Sequence, residues 1–376
     1  MKTTQNILTV FIFLLGVGLT TLYSQEQLTP NRVYPLANSR SLIGGTSTIF
    51  MTDDYTISNG TSEYHSNEKI ITFFSLENSS VGIIAETSGD SYMFFHLNEA
   101  LQLATSIPFH LPDDFGFPLI YVLKDGSYLF LNAIEQSITN YSRSGSKIFN
   151  TTIFKKKDYD HEKNMLLVQG ENLIYIIGQE TATGNSDAIH IFNLYNEHSL
   201  IDEGVLPLSV SYQAAIVNNA LLAITGTSFT NQYQIAKHKL LLFDTHQNQV
   251  THSFELETIP KKLYVSGGNV YLVTNTGLIV VNNQGHIISS AYFPTEIVPK
   301  SVAVHNGKMC IIGGVSPGYR NGTLSYENGV LITFDNDRIN EFTLAHTEPF
   351  QESGFSSDHS QFFLVSDKSV SYYDLP

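Results

Sequence analysis

One recurrence constrains this chain more than any other feature. Short apolar runs rich in Ile, Val, Leu, Tyr and Phe begin near Val81, Tyr128, Leu173, Leu221, Val270, Met309 and Phe362, at steps of 47, 45, 48, 49, 39 and 53 residues. Clusters of Asn, Gly, Asp and Ser separate them, and helical periodicity is nearly absent beyond the first two dozen residues, which reads as strands joined by tight turns. Asp125-Gly126, Asn218-Asn219, Gly267-Gly268 and Asn306-Gly307 precede four of the runs, and these residues accept the positive φ of a two-residue hairpin. A further strand in each unit ends on an apolar residue followed by Asn or Asp: Phe192-Asn193, Phe243-Asp244, Val281-Asn282, Phe334-Asp335 and Tyr373-Asp374.

Runs such as Leu173-Ile-Tyr-Ile-Ile and Asn269-Val-Tyr-Leu-Val are apolar on both alternating faces, as in a sheet sandwiched between two neighbours. Units of 40 to 50 residues with this property predict an all-β fold, a seven-bladed β-propeller of four-stranded antiparallel blades. The last unit runs out after three strands at Pro376, so a strand near residues 31–42 is expected to supply the fourth and remove the open edge. Residues 43–68 fit the pattern poorly, and an eighth, irregular blade there is the alternative.

The segment Asn306-Gly-Lys-Met-Cys-Ile-Ile-Gly-Gly, closed by Gly313 and Gly314 and followed by Val330-Leu-Ile-Thr-Phe-Asp, resembles a kelch repeat. The units from Asn172 to Asn193 and from Asn219 to Asp244 are similar, and that from Gly268 to Gly285 resembles the repeat of quinoprotein-type propellers as much. The resemblance covers roughly residues 69–376 as architecture and implies a kelch-like propeller.

Ahead of the repeats, Met1 and Lys2 precede an apolar run from Ile7 to Leu19 and a small, polar segment from Thr20 to Gln25. This is the order of a secretory signal. Thirteen residues rise only about 20 Å as a helix, short of a membrane's apolar core. We expect a signal peptide over 1–24, cleavage near Ser24, and a propeller over 25–376 that is secreted or periplasmic without stable membrane insertion. The only cysteine, Cys310, lies deep in the chain, which excludes a disulfide framework and a lipid anchor at the cleavage point. The net charge of −15 sets aside nucleic acid and anionic lipid surfaces as partners.

Loops joining second to third strands, and each blade to the next, emerge on one face of such a disc. Residues 179–187, 227–238 and 315–329, with the blade-to-blade segments 108–118, 155–163 and 346–357, make that face the expected binding surface. Phe109, His110, Asp113, Asp114, Tyr233, Tyr319 and Arg320 are its candidate ligand-binding residues, combining aromatic platforms with polar groups. Asp158, Asp160 and Glu162 offer hard oxygens at spacing two, a possible calcium loop, and no other cofactor is expected. The thirteen histidines include no H-E-x-x-H. Gly314-Val-Ser316-Pro-Gly318 matches a nucleophile-elbow pattern, but Pro317 lacks the N–H that an oxyanion hole needs after the serine. Five glycosylation sequons, at Asn59, Asn78, Asn140, Asn150 and Asn321, match roughly the number expected by chance in so Asn- and Ser-rich a chain.

No coherent catalytic set emerges, so the expected function is an exported, non-enzymatic propeller that binds a protein or carbohydrate partner on its long-loop face. The alternative is an exported kelch-like carbohydrate-active enzyme, a sugar epimerase, mutarotase or glycan lyase, with its site at the central channel.

Overall fold

A computed structural model describes residues 26–35, 41–44, 47–76, 80–89, 91–110, 117–132, 137–153, 166–170, 173–180, 186–193, 199–230, 235–320, 323–335, 337–346, 348–356 and 359–376. Among them every regular element is a strand. The apolar run of the expected signal lies outside them.

Among the described residues eight four-stranded antiparallel units follow one another, the last two joined into one sheet where Tyr326 pairs with Phe350. Two short strands come first, β1 (Glu26–Leu28) and β2 (Arg32–Pro35). Blade I is β3 (Ser41–Gly44), β4 (Ser47–Asp53), β5 (Thr56–Ser58) and β6 (Glu63–His65). Blade II is β7 (Lys69–Ser75), β8 (Val81–Ser88), β9 (Ser91–Leu97) and β10 (Leu103–His110). Blade III is β11 (Leu119–Val122), β12 (Tyr128–Asn132), β13 (Ser137–Tyr141) and β14 (Lys147–Thr152). Blade IV is β15 (Leu166–Gln169), β16 (Ile174–Glu180), β17 (Ser186–Asn193) and β18 (Ser199–Val205). Blade V is β19 (Val210–Asn218), β20 (Leu221–Thr230), β21 (Ile235–Asp244) and β22 (Gln249–Leu256). Blade VI is β23 (Lys262–Ser266), β24 (Asn269–Val273), β25 (Gly277–Val281) and β26 (Ile287–Tyr292). Blade VII is β27 (Val298–His305), β28 (Lys308–Arg320), β29 (Thr323–Asp335) and β30 (Arg338–Leu344). Blade VIII takes β31 (Phe350–Phe355), β32 (Gln361–Ser366) and β33 (Ser369–Asp374) from the end of the chain and β2 from its beginning.

The count is therefore eight, the alternative, and the additional unit is Ser41–His65. The N-terminal strand closes the last blade as expected, with Arg32 opposite Tyr372 and Pro35 opposite Ser369. First strands touch first strands from blade to blade, β15 with β19, β19 with β23, β23 with β27 and β27 with β31, so they form the inner ring. Polar ties reinforce that ring: the Gln213 amide donates to the Lys261 carbonyl at 2.9 Å and accepts from the Leu263 N–H at 2.5 Å. Farther round, the Ser301 hydroxyl donates to the Ser353 carbonyl at 2.8 Å.

Between successive blades lie dry clusters. Ile177, Ile189 and Ile191 of blade IV meet Leu222, Ile224 and Leu241 of blade V, all buried. Each such side chain contributes roughly 1.5–3 kcal/mol by leaving water. On blade VIII, Phe362 and Leu364 face blade VII, while Phe363 and Val365 are buried on the opposite face, the one left for blade I. Tight turns set the register: Gly267 and Gly268, and Asn306 and Gly307, all have positive φ, the geometry of a type I′ hairpin. The turn before β20 is Asn219-Ala220, one residue later than its sequence suggested, because Asn218 pairs with Leu221.

Candidate functional site

Strand order places the connections from second to third strands, and from each blade to the next, on one face, called upper here. The described residues of three of the expected rim loops are strand. Residues 315–320 and 323–329 form the upper half of a hairpin of two 13-residue strands, with Val315 paired to Asn328, Pro317 to Tyr326 and Tyr319 to Leu324. β20 runs on to Thr230 and β21 resumes at Ile235, and β16 and β17 likewise extend to Glu180 and from Ser186. Their Thr, Tyr and Val residues favour strand, and pairing satisfies backbone groups that an open loop would leave to water. Segment 346–357 contains β31, an inner strand, instead of a loop. Ser316 has a φ of 56° inside the tall hairpin, where no helix follows.

The proposed ligand residues are dispersed. Phe109 is only 7 % exposed, with its ring 5.8 Å from Tyr92 and 5.5 Å from Phe130, so it is core and offers no platform. His110 ends β10 at the upper face, exposed, its Nδ1 3.1 Å from the Ser91 hydroxyl. Tyr319 is 81 % exposed near the tip of the tall hairpin, and the Arg320 backbone pairs with Thr323 beside it. His110 and Tyr319 stand on blades II and VII and are not brought together. Asp113, Asp114 and Tyr233, and the calcium candidates Asp158, Asp160 and Glu162, lie outside the described residues.

A constellation not anticipated from sequence gathers beneath the tall hairpin instead. Lys262 opens β23, Lys300 is the third residue of β27 and Glu352 the third of β31, which places all three near the upper ends of consecutive inner strands. Burial first, then the charge of Lys300, lowers the Lys262 ammonium below the ordinary lysine range, and Glu352 partly offsets this. The Lys300 ammonium stands over the Tyr326 ring, 5.2 Å from its centroid. Burial raises the Tyr326 phenol, with smaller contributions from Glu352 and Tyr319. Tyr326 can lie there because Gly314 has no side chain: a Cβ at that position would overlap the ring. Gly314 thus seats an aromatic ring beside a lysine. Two ammonium groups held close on a strongly acidic chain can receive a carboxylate, sulfate or phosphate oxygen. The positions are 38 and 52 residues apart, and the one sequence signal for them is a shared place near the start of each inner strand.

No family model matches the chain, and no curated protein matches it. Solved structures do. A chain of the mitotic checkpoint complex superposes with a TM-score of 0.55 at 11% identity, covering 95% of this chain and 94% of the other. The Dos1 propeller gives 0.57 at 11% identity, covering 92% and 95%. The protein has a β-propeller fold. An inactive virginiamycin B lyase from Staphylococcus aureus bound to quinupristin gives 0.51 at 14% identity, covering 92% and 99%. At such identities the likeness is one of fold, and it supports the propeller without the kelch type.

Proposed function

We propose that the protein is an exported, non-enzymatic propeller that binds an anionic group of a protein or glycan partner on its upper face. The observation that carries this reading is the convergence of Lys262 and Lys300 beneath the tall β28–β29 hairpin. An anion there would relieve the repulsion between the two ammonium groups, while the exposed Tyr319 on the tall hairpin supplies aromatic surface above it. The propeller likenesses are compatible with a binding role, and the signal-like run over residues 7–19 supports export.

The test is calorimetric binding of the purified protein to uronate-bearing, sulfated and neutral oligosaccharides and to acidic and neutral peptides, with turnover of the same panel followed in parallel. Acidic members should bind and neutral ones should not, and the double variant Lys262→Ala/Lys300→Ala should weaken binding on the order of tenfold or more. Equal binding of neutral members would defeat the anion reading. Turnover that disappears in Glu352→Gln would establish the enzyme alternative instead.

A further inference from the structure

Blades V and VI splay apart toward the perimeter and leave a groove of about 560 Å³ between them. One wall is the upper half of β22 with the segment that follows it; the other is β25 and β26. Phe254, Ile279 and Ile287 give it an apolar lining, and Tyr292 rises at its mouth, 82 % exposed. Its lower end is closed where the His252 ring lies against Gly285. The lining holds two carboxylates, Glu255 and Glu257, and no lysine, arginine or histidine; Lys237 reaches Glu255 from the neighbouring strand at 2.7 Å. β22 and β26 are the outermost strands of their sheets, so each leaves an edge unpaired within its sheet.

The chain itself displays how such an edge is used. β1 lies parallel on β30, the outermost strand of blade VII, with Glu26 opposite Phe342 and Leu28 opposite Leu344, and Leu28 packs against the apolar cluster between blades VII and VIII. An extended segment thus adds its backbone to a blade edge and an apolar side chain to the seam beside it. Blades V and VI present an open edge, an apolar seam and acidic flanks.

The geometry points to the groove between blades V and VI as a docking slot for an extended segment of a partner polypeptide that carries a bulky apolar residue flanked by lysine or arginine. The apolar anchor enters the seam between Phe254 and Ile287, the main chain runs along the edge of β26, and the basic flank meets Glu257 and Glu255. The slot is separate from the lysine pair on the inner strands and does not depend on it.

The test is fluorescence anisotropy with labelled peptides on the full mature chain: Ser-Lys-Val-Leu-Val-Lys-Ser, its acidic counterpart Ser-Glu-Val-Leu-Val-Glu-Ser, and the polar Ser-Lys-Ser-Gly-Ser-Lys-Ser. The first should bind, and the other two should bind on the order of tenfold more weakly or not at all. Ser290 is exposed and lines the groove, so Ser290→Arg should fill it and abolish binding. Ile288, 52 % exposed beside the 58 % exposed Ile287 yet outside the groove, provides the control, and Ile288→Arg should bind as the parent does. Unchanged thermal melting of both variants would separate occlusion from misfolding. Failure of the apolar-basic peptide to bind, or binding that Ser290→Arg leaves intact, overturns the proposal. So does concentration-dependent self-association that Ser290→Arg removes, since a second copy would then fill the slot.

Discussion

Cys310 is 2 % exposed on β28, and burial pushes its thiol up to about 11, against smaller lowering from the His305 backbone and Lys308. Little thiolate therefore forms at neutral pH, and an aromatic disulfide reagent at pH 8 should label this residue only after denaturation. The same shift fixes a pH dependence. Above the ordinary value of 9.0 the unfolded chain ionises while the folded one does not, so stability is complete below pH 9 and falls as pH rises toward 11. The loss should be on the order of 2–3 kcal/mol, read by urea unfolding of the parent against Cys310→Ala. Gly314 offers a second check at this scale. Gly314→Ala should cost about 1–3 kcal/mol by forcing the Tyr326 ring aside, whereas Gly318→Ala, in open space, should leave the melting temperature unchanged. Through Tyr326 the first substitution should also weaken any anion bound at Lys300.

Strands were the legible elements, for a physical reason. All seven apolar runs are second strands of blades, beginning within one residue of the expected positions, because a strand covered on both faces must be apolar on both. Blade I escaped because it carries little of that signal. β5 and β6 have three residues each, and its described buried hydrophobics are Ile49, Met51 and Ile57 among Ser, Thr and Asp. The tall hairpin escaped for the opposite reason: Pro317 and Gly318 read as loop, while cross-strand pairing holds them in a ladder. β2 is where an element can be tested. Deleting residues 25–35 removes β1 from β30 and leaves the β33 edge bare, and seven ladder residues at about 0.5–1.5 kcal/mol per hydrogen bond predict a loss of roughly 3.5–10.5 kcal/mol, measured by urea unfolding. Light scattering of the same variant should reveal edge-to-edge association; an unchanged midpoint would show that closure adds nothing to stability.

For the whole molecule, periodicity determined the architecture and could not determine the sites. Repeats reveal what every blade shares, whereas a site is made of what single blades do not share, such as Lys262, Lys300 and Glu352 on three different inner strands. The ring's closure carries a further consequence. Arg32 pairs with Tyr372, 340 residues away, so the seal joins a strand made early in synthesis to one made much later. A nascent chain that has reached residue 300 can assemble blades I to VI, but both flanks of that arc still expose apolar sheet, and β2 has no partner until β33 emerges. Native pairing therefore waits until β33 has been made.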